Sequence, residues 1–393
     1  MKEQRIPMPP QVEKIIEKLR QEGYEAYAVG GCVRDTLLGR EPEDWDITTS
    51  ARPKEVKQLF HRTIDTGIQH GTVTVLMDHK GYEVTTYRID GEYEDGRHPK
   101  EVAFTSELME DLKRRDFTIN AMAYSHETGI VDAFDGIGDL KRKVICSVGK
   151  ASDRFGEDAL RILRAIRFSA QLDFTIEEQT YHAIVEIAPN IARVSKERIQ
   201  VELTKLLCSA HPERIRQVYE TGISRYISPE FAALPWQEFR GLPGLSVEKY
   251  VRWAAFLRLA DSVSAERTLK DLKLDNDTIG KVKTLVTWAG REIPAEEVEV
   301  RRAMSKMLPE VWDALVELNA YGEAIRRLTE EIRERGDCLD LKHLAVNGGD
   351  LMAVGVRPGK EMGQILQQLL DLVLECPKKN EKERLLKQVL LWM

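Results

Sequence analysis

The sequence predicts an α+β protein, an N-terminal α/β head followed by helices to the end of the chain. Runs rich in Val, Thr and Tyr, with the texture of strands, are confined to the first part of the chain, up to about residue 140. From about Lys150 onward strand signals disappear and amphipathic helical patterns follow one another. At 393 residues the chain is too long for one ordinary core, so two to four domains are expected.

Within the head, Gln11 to Gln21 places Val12, Ile15, Ile16 and Leu19 at helical spacing. A short strand, Tyr27-Ala28-Val29, then runs into Gly30-Gly31 and a helix carrying Val33, Leu37 and Leu38. Thr72–Met77 and Tyr82–Tyr87 form the arms of a hairpin that turns over Asp78–Gly81. The polar, glycine-bearing stretch Asp90–Pro99 is expected to be a mobile loop. In the helical remainder, turns are expected at Asn190, Pro229, Gly241–Gly244 and Pro294.

Hydrophobic residues make up 42% and charged residues 31%, a globular balance rather than a disordered or fibrous one. The net charge of −7 argues mildly against nucleic-acid binding, yet charge is segregated. Residues 141–170 hold eight basic side chains and three acidic ones, a surface able to attract phosphates. The five cysteines are scattered and never paired as CxxC, which suits reduced thiols in a cytosol. The N-terminal stretch carries no apolar signal region and no long apolar run follows, so a cytoplasmic protein without membrane attachment is expected.

Chemistry concentrates first at Glu43-Asp44-Trp45-Asp46-Ile47-Thr48. If this segment enters a strand, Asp44 and Asp46 point the same way. Two adjacent carboxylates repel unless a cation lies between them, and hard Mg²⁺ is the natural occupant. A solvated acidic turn is the plainer alternative for an isolated DxD. The preceding Gly30-Gly31-Cys32-Val33-Arg34 shifts the balance. Its glycines let backbone N–H groups approach a phosphate, with Arg34 aimed at the same place. Glu83 is a candidate third carboxylate, or equally a solvent-facing strand residue. In Lys113-Arg114-Arg115-Asp116-Phe117-Thr118-Ile119-Asn120, the acid and the amide can fix the arginines and a ribose.

The stretch from Glu157 to Phe168 reads as one helix, with Asp158, Arg161 and Arg164 along a face and Arg167 at its edge. The plain reading is a surface helix with one i,i+3 ion pair. The alternative is a protein template for a base. Cytosine and adenine each set a ring-nitrogen acceptor beside an amino donor, matching an arginine and an aspartate. Uracil and guanine present the reverse polarity, and an unpaired buried polar group costs about 1–3 kcal/mol. Arg164 and Arg167 remain for a triphosphate.

GGCVRDTLLGR, EDWDIT, RRDFTINAMAY, DAFDGIGDLKRKVI, EDALRILRAIRF and VSKERIQVEL occur in the order of motifs A to E of the class II tRNA nucleotidyltransferases. The chain resembles this family, which holds the bacterial CCA-adding enzymes and poly(A) polymerases, along its whole length and most closely over residues 25–210. The resemblance implies a polymerase-beta-like nucleotidyltransferase head (1–140), a neck that recognises the nucleotide base (141–209), a body (210–320) and a tRNA-binding tail (321–393). It implies Asp44 and Asp46 as catalytic, Mg²⁺-binding carboxylates. Gly31, Arg34, Arg115, Asp158, Arg161, Arg164 and Arg167 become nucleotide-binding residues, and Arg198 a structural brace for the preceding helix. Leu344–Asp350 and Arg357–Gly359 match the segment that holds the upper half of tRNA, its acceptor and T arms. CTP and ATP are the implied substrates, and a homodimer is compatible with the family.

The activity so implied is template-independent addition of CCA to the tRNA 3′ end. Poly(A) addition and partial CC or A addition are rivals. Gly67–Val75 resembles the CCA-adding pattern more than the polymerase one, and the 90–99 loop is a feature that CC-only enzymes lack. An inactive RNA-binding paralogue is the rival from another class, but it would need neither Asp44 nor Asp46.

Overall fold

The computed structural model describes residues 5–91, 102–242 and 244–393. It divides into two compact units, 1–241 with 268–274, and 242–267 with 275–393. The first cut falls at Gly241, whose φ of 70° belongs to the left-handed region that glycine tolerates.

The first unit opens with α1 (Pro10–Gln21), which begins at a proline and buries the four apolar residues its periodicity singles out. A seven-stranded sheet follows, with β1 (Ala26–Val29) flanked by β2 (Ile47–Thr49) on one side and β8 (Met122–Ser125) on the other. All four β1 residues are buried, as a central strand requires. β3 (Thr63–Gly67), β4 (Thr72–Met77) and β5 (Lys80–Thr86) extend the sheet beyond β2, with β5 parallel to β2. The expected hairpin is β4–β5, and Asp78 and His79 turn it at positive φ (51° and 63°). A separate two-stranded ribbon pairs β6 (Arg88–Asp90) with β7 (Val102–Phe104). The remainder of the expected 90–99 loop, from residue 92, lies outside the described residues. Opposite, β8 (Met122–Ser125) and β9 (Gly129–Asp132) close the sheet.

Helices α2 (Gly31–Leu37) and α3 (Pro53–Leu59) follow β1 and β2, and α4 (Leu108–Lys113) packs on the ribbon and buries Leu112. Beyond α5 (Gly136–Arg142) the unit becomes helical, through α6 (Ala151–Glu157), α7 (Leu160–Leu172), α8 (Glu178–Ile187) and α9 (Lys196–Leu207). α7 lies on α9, and Ile162 and Ile166 of the one and Leu203 and Leu206 of the other are essentially inaccessible. Two expectations need correction. A short parallel bridge joins β10 (Val144–Ile145) to β11 (Thr175–Ile176), so strand pairing does not end at Lys150; two residues are too few to leave a periodic signal. The supposed single helix from Glu157 to Phe168 is broken at Asp158, whose backbone is extended (φ −140°, ψ 102°). Its carboxylate accepts the Leu160 N–H at 3.1 Å, the local competition with helix geometry that Asp commonly offers.

The second unit is helical, with Trp253 and Trp312 fully buried. Its C-terminal part packs Leu351, Leu369, Val373, Leu385 and Val389 into one cluster. There Asn347 caps the helix Gly348–Ala353 in a reciprocal box with Asp350.

Phe117 is fully buried and meets Phe168 edge-on, with centroids 5.8 Å apart. Phe117→Ala is therefore expected to cost about 3–5 kcal/mol, seen as a lower urea midpoint for the transition that unfolds the first unit.

Candidate active site

Strand β2 ends the acidic segment by alternation: Asp44 and Asp46 are exposed, while Trp45 and Ile47 are buried. The assigned strand starts at Ile47, yet the Asp46 carbonyl still accepts the Val29 N–H at 3.0 Å, so the ladder extends to the carboxylates. Ile47 pairs with Val84 across the parallel β2–β5 junction, which brings Glu83 beside Asp46. Glu83 keeps contact with solvent, yet the surrounding protein removes part of the hydration of its carboxylate, and this loss, then Asp46 and Asp44, raises its pKa. Burial likewise raises the Asp46 pKa, Arg115 opposes that and Asp44 adds to it. These carboxylates feel one another. Among the described residues, however, no three acidic, His or Cys side chains are gathered tightly enough to enclose an ion.

A cleft of about 590 Å³ opens beside this pair, walled by Gly31, Arg34, Asp44, Asp46, Arg167 and Phe168 among others. Gly30 (φ 82°) makes the turn from β1 into α2, and a Cβ there would come within 3.0 Å of Arg115 Nη1. Gly31 opens α2 and Arg34 lies one turn on. Arg34 is largely buried: Nε and Nη2 reach Asp35 at 2.8 Å, and Nη1 donates to Asn120 Oδ1 at 2.6 Å. Asn120 Nδ2 in turn donates to Asp116 Oδ1 at 3.1 Å, and Arg164 grips Asp116 Oδ2 through Nε and Nη2 at 2.8 and 2.7 Å. A continuous chain thus runs from α2 to α7 by way of the RRDFTIN segment, but the arginines that Asn120 and Asp116 fix are Arg34 and Arg164; the neighbouring Arg114 and Arg115, expected to be their partners, pair with Asp111 instead.

Arg167, only 7% exposed, lies 2.6 Å from Glu202 on α9, and burial brings its pKa down to about 10 against the pull of that carboxylate. Its Nε–H is not aimed at Glu202, so the contact is an ion pair without a formed hydrogen bond. Arg34, Arg164 and Arg167 all stand around one ring, with guanidinium carbons 5.0, 5.4 and 4.0 Å from the Phe168 centroid. Each of the three has its own acid in Asp35, Asp116 or Glu202. Neither Glu202 nor the role of Phe168 is evident from sequence, where Phe168 counts only as part of the packed side.

Asp158 and Arg161 do not form the side-by-side pair that a continuous helix implies. Asp158 is bound by Arg198 at 2.7 Å, whereas Arg161 pairs with Glu157 at 2.8 Å and donates to the carbonyls of Arg154 and Arg114. The break at Asp158 is the cause, because it removes the carboxylate from the α7 face that carries Arg161 and Arg164. Arg198 does brace this region, through Asp158 itself.

Burial would raise the Asp116 pKa, but Arg164, Asn120 and Arg161 overcome it and hold the group at about 2, against 3.8 unperturbed. A depressed carboxylate stabilises the fold above its unfolded pKa, and that contribution disappears as pH falls through the folded value. About 2 kcal/mol is expected to be lost between pH 4 and 2, and Asp116→Asn should flatten this part of the stability profile measured by denaturant titration.

Three family models match the chain. The poly(A) polymerase head domain covers residues 26–146, a probable RNA- and SrmB-binding site of polymerase A covers 173–234, and a putative tRNA nucleotidyltransferase domain 2 covers 247–389. The CCA-adding enzyme of Lactiplantibacillus plantarum is 40% identical, over 95% of this chain and 93% of its own. That of Limosilactobacillus reuteri is also 40% identical, over 95% and 94%. The crystal structure of the Bacillus stearothermophilus CCA-adding enzyme in complex with CTP aligns over 98% of both chains, with a TM-score of 0.81 and 33% identity. With this identity sustained over nearly its whole length, the chain belongs to the tRNA nucleotidyltransferase family of CCA-adding enzymes.

Proposed function

We propose that this chain adds C, C and A to the 3′ end of tRNA from CTP and ATP, releasing pyrophosphate at each step. The observation that carries it is the acidic pair Asp44/Asp46 facing the same cleft as Arg34 and Arg167. Carboxylates on one side and buried guanidiniums on the other suit a nucleoside triphosphate and the hydroxyl that attacks it. The whole-length likeness to CCA-adding enzymes supports tRNA as acceptor. The four-part division at residues 140, 209 and 320, with base recognition in the second part and tRNA held by the fourth, belongs to the same reading. So does a cytoplasmic setting, which suits the five free cysteines.

The donors at the acidic end are all carboxylate oxygens: Asp44 and Asp46 face one cleft, and burial together with the neighbouring carboxylates raises the pKa of Asp46 and Glu83. That fits Mg²⁺, which commonly binds one or two carboxylates together with substrate phosphates and water rather than a full protein cage. Asp44 and Asp46 would hold it, with Glu83 as the adjacent third carboxylate. When bound, it supplies activation of the 3′-hydroxyl and charge neutralisation on the phosphates.

The protein's own part is positioning. Gly31 lets the backbone come close to the triphosphate, while Arg34, Arg115, Arg164 and Arg167 bind its negative charge. The 3′-hydroxyl gives up its proton to solvent, its oxygen bonds to the α-phosphorus, and the bond from that phosphorus to the α,β-bridging oxygen breaks, so that pyrophosphate leaves with that oxygen. Base choice is assigned to Asp158 and Arg161 as separate acceptor and donor. Arg198 and Glu157 hold them apart, so their polarity suits cytosine and adenine from two neighbouring points rather than from one ion pair.

A tRNA ending before CCA, incubated with Mg²⁺, CTP and ATP, is expected to grow by three nucleotides and stop; an unbounded A tail would show the polymerase activity instead. Asp44→Ala should abolish incorporation while tRNA binding in a filter assay stays within about twofold, since the lost interaction acts on the transition state. Arg161→Ala should narrow the discrimination of CTP over UTP by roughly tenfold, and unchanged discrimination would remove Arg161 from base reading.

A further inference from the structure

Asp111 is fully buried in α4 and is missing from every motif discussed above. Its carboxylate is surrounded by donors from three parts of the head. Oδ1 accepts Arg114 Nε at 3.0 Å and Nη2 at 2.6 Å, and the backbone N–H of Arg88 at 3.4 Å. Oδ2 accepts the Thr48 hydroxyl at 3.3 Å and Arg115 Nη2 at 3.4 Å. Thr48 stands two residues after Asp46 on β2, and therefore on the same face. The acid thus joins the helix that leads to Arg115 with the strand that carries the acidic pair.

The contacts are unequal, and that inequality is informative. Arg114 is held by two short bonds, so it is the fixed partner of Asp111. Arg115 touches the carboxylate through one nitrogen, at the long limit of a hydrogen bond. Its Nε is buried with no hydrogen-bond partner among the described residues, and its Nη1 lies 3.0 Å from where a Gly30 Cβ would stand. A guanidinium steadied at one corner, with its other donors uncommitted beside a glycine turn, is prepared for an incoming anion.

We propose that Asp111 is a positioning residue for nucleotide transfer, holding Arg115 against the Gly30–Gly31 turn and in register with the strand of Asp46, without touching substrate. The inference rests on the reading of Arg115 as a nucleotide-binding residue. Asp111 sets where Arg115 waits, and the weak contact lets the guanidinium turn to the triphosphate at little cost. The 2.6 Å bond to Arg114 keeps the acid in place while this happens.

The test measures KM for CTP, kcat and tRNA Kd on the full chain for Asp111→Asn, Arg115→Ala and the double variant. Asp111→Asn is expected to raise KM for CTP by about tenfold, with tRNA Kd unchanged. In the Arg115→Ala background the same change should add less than about twofold, because the two act through one group. A merely structural acid would lower the melting temperature and the active fraction, and with it kcat, but leave KM alone. That result, or effects that multiply in the double variant, overturns the proposal. KM does not depend on the folded fraction, so a partly folded preparation still reports. Asp111→Glu, which keeps the charge and displaces it, is read in the same way should the Asn variant fail to fold. If Arg115→Ala itself leaves KM unchanged, the nucleotide-binding role of Arg115 is what fails.

Discussion

Burying a carboxylate is costly unless donors and cations surround it, and Asp116 is met on every side: by Arg164, by the Asn120 amide and by the backbone N–H of Phe117. The rest of the site depends on this constraint. Asn120 can turn its carbonyl oxygen to Arg34 because its amino group is committed to Asp116. Arg164 can stand over Phe168 because its other end is anchored to the same acid. A buried ion pair of this kind is weak evidence for stability, since apolar residues of similar size often do as well. Its value here is orientation: it couples Arg34 on α2, beside the glycine turn, to Arg164 on α7.

The order of the elements was readable where the chain has one environment on each side. Val12, Ile15, Ile16 and Leu19 face one core, so α1 shows its period; β5 alternates buried and open residues, and its hairpin with β4 turns at Asp78-His79. The acidic pair and the arginines of the cleft were readable because their motifs are local. Asp158 was not placed correctly, since a helix-forming stretch around it hides a side chain that captures its own backbone at Leu160. Glu202 was silent because its partner Arg167 is distant in sequence, and Phe168 because Arg34, the third arginine on its ring, comes from α2. Asp111 could have been noticed, as it precedes Arg114 and Arg115 by three and four residues, the spacing at which helical side chains meet.

Phe168 explains how three like charges share a small volume. Its ring presents a negative face to the guanidiniums, while Asp35, Asp116 and Glu202 neutralise them from outside. The arginines are therefore rigid before any ligand arrives, and little side-chain entropy remains to be lost when phosphates bind.

The two-residue turn at Asp78-His79 fixes the pairing of Thr74 with Glu83 across the β4–β5 hairpin, and through β5 that of Val84 with Ile47. Because side chains alternate, inserting or deleting one residue in that turn would not merely lengthen a surface loop. It would threaten to trade Glu83 for Val84 on the face shared with Asp46. The tolerance of this hairpin to indels is thus set by electrostatics several residues away, and its length is as much a part of the acidic site as the carboxylates themselves.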